Sequence, residues 1–243
     1  MPYRRLPNTD SSRLKALQSA YKKGKELTPM DLAFKQSTYQ RVQSFMPKWE
    51  KAITEYKNTY DIQTKNNKEY LKKLKKAKLY ISHFIQVLNM AIIRGELQPV
   101  VREFFGLEAY ESKLPPLNTE SDVIEWGKKL IEGSMARKLK GNSPITNPTI
   151  AVVRVHYDNF VEAYKFQKTL QKNHNRALDN LSALRDEADD IILNVWNEVE
   201  DTYKSHPEDL KREKAQKYGL VYVYRKNEIG RISLFRNDEA RII

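Results

Sequence analysis

Two long windows of this chain contain neither glycine nor proline: 48–94 and 149–206. Those two residues punctuate local structure, so their absence leaves regular structure uninterrupted. At 1.5 Å per residue the windows reach roughly 70 and 85 Å as helices. Their periodicity says that helices are what they form. Along the first and the few residues before it, apolar positions run Val42, Met46, Trp49, Ile53, Tyr56, Tyr60, then Tyr70, Leu74, Ala77, Ile81, Phe84, Leu88 and Ile92. In the second they run Val152, His156, Phe160, Ala163, Phe166, Leu170, then Ala177, Leu181, Leu184, Ala188, Ile191, Val195 and Val199. Steps of three and four mark a helix packed along one side. Sustained over several heptads, they predict packing at shallow crossing angles. The first series crosses Pro47 in phase, so a kinked but continued helix is compatible with it.

Shorter helices fill the remainder. Thr9 or Asp10 caps one that Gly24 closes, and Thr28–Pro29 is an N-cap and first-turn pair for the next. Thr119 or Ser121 starts another that ends at Gly141. Asn147–Pro148 precedes the second long helix, and Pro207 opens a short one closed by Gly219. Residues 95–118 read as a helical turn inside a structured loop. At the C-terminus the period changes to two. LVYVYR (220–225) and RISLF (231–235) flank a turn, which is a hairpin pattern. An isolated hairpin is marginal in water, so it is expected to dock. The predicted fold is all-α: an elongated antiparallel bundle with two long helices and a small C-terminal β-hairpin. Residues 1–9 form a flexible arm, 10–218 the bundle, and 219–243 the docked hairpin and tail.

The segments SHFIQVLNMAIIRGE (82–96), LPPLNTESDVIEWGKKLIEG (114–133), NPTIAVVRVHYDNF (147–160) and YGLVYVYRKNE (218–228) carry a resemblance. They look like those of a family of uncharacterised bacterial all-helical proteins. The resemblance implies a helical bundle and transfers no activity, cofactor or site residue.

Composition removes several chemistries. With no cysteine there are no disulfides, thiolate nucleophiles or thiolate-held metals. No glycine-rich phosphate loop, HExxH or G-x-S-x-G pattern occurs. His83 and His156 lie on or beside the seams and read as interior histidines. Arg94, Glu96 and Asn147, at the ends of the long helices, read as caps and loop anchors. No catalytic, cofactor or metal residue is assigned. The first residues lack an apolar leader core and no run is long enough to span a membrane, so the expected location is cytoplasmic.

Charge is the informative remainder: 43 Lys+Arg against 31 Asp+Glu, a net +12. Residues 65–78 hold seven lysines and one glutamate. Lys65, Lys68, Lys72, Lys75 and Lys76 fall away from the seam, where they form a candidate polyanion-binding stripe. Arg225 and Arg231 on the hairpin, among Tyr218, Tyr222 and Tyr224, are a second candidate. A solvated lysine face and a docked hairpin are the plainer alternatives. Residues 186–201 carry seven carboxylates and no Lys or Arg. Lys15, Lys22 and Lys23 of the first helix, or solvent, are their expected partners.

Both seams lose apolar character midway. If position 92 lies level with 152, the numbers of facing residues add to about 244. Asn67, Tyr70, Asn173 and His174 then form one buried hydrogen-bonded layer that sets register. The functional expectation is a non-catalytic helical protein that presents surface to a protein partner. A nucleic-acid-binding accessory protein is the alternative.

Overall fold

The computed structural model describes residues 2–224. The chain is all-α with a small two-stranded antiparallel sheet. It comprises β1 (Tyr3–Arg4), α1 (Asp10–Glu26), α2 (Gln36–Ile93), α3 (Glu120–Leu139), α4 (Ile150–Ala183), α5 (Arg185–Thr202), α6 (Glu208–Gln216) and β2 (Tyr222–Val223). Two 3-10 turns, Pro99–Phe105 and Glu108–Tyr110, lie between α2 and α3. The single bundle expected over 10–218 resolves into two compact units. One is built from residues up to Asn58 and from Asn175 onward, the other from Thr59–His174.

All of the first breaker-free window except Arg94 lies within α2, which continues through Pro47. Proline removes the N–H that would bond the carbonyl four residues back. Both Pro47 and Gln43 are exposed, so water can serve that carbonyl. The second window is not one helix. At Leu184 the amide bonds Leu181 three residues back at 3.2 Å, and α5 starts immediately after. The local tightening to a 3-10 pattern ends α4 without any breaker residue.

In the first unit the core gathers Leu17 of α1, Val42, Phe45 and Trp49 of α2, and Ile191, Val195, Trp196 and Val199 of α5. Thr9 caps α1 in a reciprocal box with Ser12. Of the acidic stretch 186–201, Asp189 and Glu200 find arginine rather than the expected lysines, and Asp186, Glu187, Asp190 and Asp201 face solvent, the other expected outcome. Arg13 grips Asp189 with two bonds of 2.8 Å, and Arg185 grips Asp10 likewise. The planar guanidinium matches a carboxylate with two parallel bonds, which ammonium cannot do. Glu198 caps the start of α2 through the amide of Lys35 at 2.8 Å and the hydroxyl of Thr38 at 3.0 Å.

β2 is the first strand of the expected hairpin; its expected partner, 231–235, lies outside the described residues. Within them β2 pairs with β1, Tyr3 opposite Val223 and Arg4 opposite Tyr222. The arm expected to be flexible over 1–9 therefore holds a strand. Arg4 anchors it to Glu200 and Asn197 at 2.9 Å.

In the second unit Ile81, Phe84, Ile85 and Leu88 of α2 pack with Phe105, Leu130 of α3, and Val153 and Phe160 of α4. The α4 seam is rotated from the expected one. Phe160 and Ala163 are buried as expected, but Val152 and Phe166 are exposed, and Val153 and Gln167 are buried in their stead. His83 is exposed rather than interior, while His156 stacks on Tyr80 with ring centroids 4.1 Å apart. α3 comes close enough to the first 3-10 turn that a Cβ at Gly133 would sit 2.1 Å from the carbonyl oxygen of Phe104. Backbone cannot swing aside as a side-chain tip can. Gly133→Ala gains at most about 1 kcal/mol in helix propensity. It is expected to lose about 1–3 kcal/mol to overpacking. The net fall in stability is measurable by urea unfolding, and a stabilised variant would contradict the close approach.

Candidate polyanion-binding face and the polar middle of the long helices

All five stripe lysines, Lys65, Lys68, Lys72, Lys75 and Lys76, are exposed on α2. Tyr70 and Ala77 on the opposite face are buried. From Lys65 to Lys76 the stripe extends about 17 Å. Glu69 is the one carboxylate among them, 2.8 Å from Lys72. Its carboxyl is held below the usual range, first by the Lys72 hydrogen bond and then by the charges of Lys72, Lys73 and Lys76. Among the described residues, Lys65, Lys68, Lys75 and Lys76 make no ion pair.

The second unit contains 19 Lys and Arg against 12 Asp and Glu, a net +7, and residues 65–78 alone contribute +6. The basic excess of this unit is thus concentrated in one segment of α2, not a diffuse surplus. Beyond Lys76 the same side of the helix changes character. The i, i+3, i+4 series continues through Leu79, His83, Gln86, Met90 and Ile93, all exposed. No charged residue occurs from Leu79 to Ile93. Leu79 and Ile93 expose more than three-fifths of their surface. One outward stripe is therefore basic for its first half and free of Lys, Arg, Asp and Glu for its second, where exposed Leu79, Met90 and Ile93 alternate with His83 and Gln86.

The other candidate residues divide. Arg225 and Arg231 lie outside the described residues. Of the aromatics beside them, Tyr218 is buried in the core, and Tyr222 is half-buried and donates to Glu200 at 2.7 Å. Neither ring stands free to stack on a base.

The layer expected from Asn67, Tyr70, Asn173 and His174 does not form. Asn67 and Asn173 are exposed. His174 pairs with Thr59 at 3.3 Å and lies against the ring of Tyr60, and Asn66 donates to Gln167 at 2.8 Å. Facing numbers therefore add to 233, eleven short of the expected sum, which is three helical turns. A slip by whole turns keeps both apolar faces in contact, so a 3/4 pattern is nearly blind to it. Tyr70 is buried, packs on Phe160, and donates its phenol to Glu120 at the first turn of α3. Glu120 also meets Lys168 at 3.4 Å.

Sequence reading had no route to Glu120, which looks like any first-turn acid, since its partner is 50 residues away. Arg137 was also missed. It is a buried guanidinium on α3, inside a run of Lys and Arg that reads as surface. Its place on the α3 face shared by Val123, Trp126 and Leu130 was the available signal. Among the described residues, no three His, Asp or Glu side chains gather as metal ligands would. No helix there is long and apolar enough to cross a membrane. The chain matches no family model, no curated protein and no solved structure.

Burial, first, and the acceptor Glu120, second, push the Tyr70 phenol well above the ordinary tyrosine range. Tyr203 and Tyr222 are raised likewise, by burial first. A raised phenol favours the folded state fully below the unfolded pKa of about 10. The advantage is lost as pH rises above that value. Stability is therefore expected to fall on the alkaline side of pH ~10. Tyr70→Phe is expected to cost about 1 kcal/mol near neutrality and to make that alkaline fall shallower. Urea midpoints for both proteins between pH 7 and 11.5 check both; an unchanged alkaline slope would contradict the assignment.

Proposed function

We propose that this is a non-catalytic, cytoplasmic helical binding protein whose contact surface is the outer stripe of α2. Its partner is a protein that offers an acidic segment followed by an apolar one. The observation that carries this reading is the change of character along the stripe. Lys65, Lys68, Lys72, Lys75 and Lys76 are exposed and largely unpaired, and Leu79, Met90 and Ile93 follow on the same side. A partner helix lying along this face would pair charge on its first half. It would remove apolar surface from water on its second, at about 25 cal/mol per Å² buried. Helix-on-helix recognition uses such i, i+3, i+4, i+7 anchors.

A second reading, binding of a nucleic-acid backbone, draws support from the concentration of charge in residues 65–78. It uses only the basic half. The stripe contains no arginine, so it lacks the fork that reads guanine edges. The resemblance to uncharacterised bacterial helical proteins is compatible with either reading.

Two double variants separate the two. Immobilised full-length chain is exposed to nuclease-treated extract of its own cells. The protein-partner reading expects one retained protein that is lost with Lys72→Glu/Lys76→Glu and equally with Leu79→Asp/Met90→Asp. The nucleic-acid reading expects retention on a polyanion column to depend on the lysine pair alone. The slope of log affinity against log salt would then fall by roughly 2. Retention of a protein by both variants as strongly as by wild type would remove the stripe from either role.

A further inference from the structure

Arg137 is a charge with no counter-charge. It is 4% exposed. No carboxylate pairs with its guanidinium among the described residues, and its buried Nε has no hydrogen-bond partner. Burial alone acts on its titration, and lowers it. Arginine does not escape this cost by losing its proton, because its pKa lies too high. A buried cation is normally paired or bound to something that is.

The surroundings specify what that something is. Arg137 lines a cleft of about 420 Å³ between the last turns of α3 and the start of α4. Lys138 supplies a second cation there, and Ser134, Ser143 and Thr149 supply hydroxyls. No acidic residue lines it. Ile150 and Ala151, the first residues of the 34-residue α4, also line it. The first amides of a helix lack intrahelical acceptors, and the aligned peptide dipoles favour negative charge at that end. The loop that closes the cleft is tied down: the side chain of Asn142 donates to the carbonyl of Arg137 at 3.3 Å. Donors thus come from a guanidinium, an ammonium, hydroxyls and a helix start. Such a set suits a tetrahedral dianion with three free oxygens better than a planar carboxylate. The remaining wall is apolar, with Met135, Ile145 and Ile150. The volume falls in the range of small-molecule sites.

We propose that this cleft binds a small phosphate monoester, its phosphate on Arg137 and the start of α4 and its organic group against Ile145 and Ile150. The site is separate from the α2 stripe and does not depend on the reading given to that stripe.

The test uses the full chain with phenyl phosphate, inorganic phosphate and benzoate as probes, each against sodium chloride of equal ionic strength. Phenyl phosphate is expected to raise the melting temperature saturably, by roughly 5–10 °C at a hundredfold excess over Kd. Inorganic phosphate should act more weakly, and benzoate little. Arg137→Met removes the unpaired charge while keeping the length of the side chain. It should melt no lower than wild type without ligand, and lose the phenyl phosphate shift. Lys138→Met, at an exposed position, should bind roughly tenfold more weakly and so reports even if the first variant misfolds. Lys72→Glu/Lys76→Glu should keep the full shift, which separates this site from the stripe. A wild-type shift no larger than the chloride control overturns the proposal. So does a shift that survives both Arg137→Met and Lys138→Met, or benzoate matching phenyl phosphate.

Discussion

Helix α2 is the constraint on which the rest of the structure depends. Its 58 residues form one helix, yet its buried side chains serve two cores. Val42, Phe45, Met46 and Trp49 belong to one, and Tyr70, Ala77, Ile81, Phe84 and Leu88 to the other. From Thr54 to Glu69 no residue of the helix is fully buried. On α4 there is likewise no fully buried residue from Lys168 to Arg176. Fully burying each large apolar side chain is worth about 1.5–3 kcal/mol, so each core supports its own part of α2. Within the second unit the polar part of α2 is held by backbone hydrogen bonds and by polar pairs such as Asn66 with Gln167.

The same polar stretch shows how far a sequence can be read. The loss of apolar character at Gln63 and Asn67, and at Asn173 and His174, is visible in the sequence and marks a real feature. Its meaning depends on register. The expected pairing gathers these residues into a buried layer; three turns away, they flank the change from one core to the other. Periodicity specifies which face of a helix is buried but not which turn meets which turn. Register comes from particular contacts, such as Tyr70 on Phe160 and Tyr80 on His156, and these follow from volume and shape, not period. The misjudged phase at Val152 and Phe166 has a related cause. An aromatic ring invites assignment to a core, and a glutamine does not. Yet Gln167 is buried, its carbonyl oxygen accepting from Asn66.

What was legible was local. The breaker-free windows, the Thr9 and Thr119 caps and the helical turn after Gly95 each depend on neighbours within four residues. Two local readings failed, since α1 runs through Gly24 to Glu26 and Thr28–Pro29 opens a turn while the next helix starts at Gln36; most of what was not legible joins distant parts of the chain. Arg13 meets Asp189 176 positions away, Glu198 caps α2 from 163 away, and Tyr3–Arg4 pairs with the strand at Tyr222–Val223. The hydrophobic alternation of 220–225 marked a strand but could not say which strand would pair with it. The division at Leu184 was hidden for the opposite reason: no residue there breaks a helix, and only a single i→i+3 bond changes.

The two basic features differ in a way that composition cannot express. The α2 lysines stand in water, where each charge is solvated and an added partner gains little from any one of them. Their effect comes from number and from being in line, and it fades with salt. Arg137 is the reverse case. One cation, nearly out of water and without a carboxylate, has given up most of its solvation when the protein folds. An anion entering beside it restores a counter-charge in a medium that screens weakly. The anion therefore recovers part of a cost that the folded chain bears in its absence. Seven lysines dominate the charge count of the second unit, yet the strongest local demand for a ligand comes from a single arginine that the count does not distinguish.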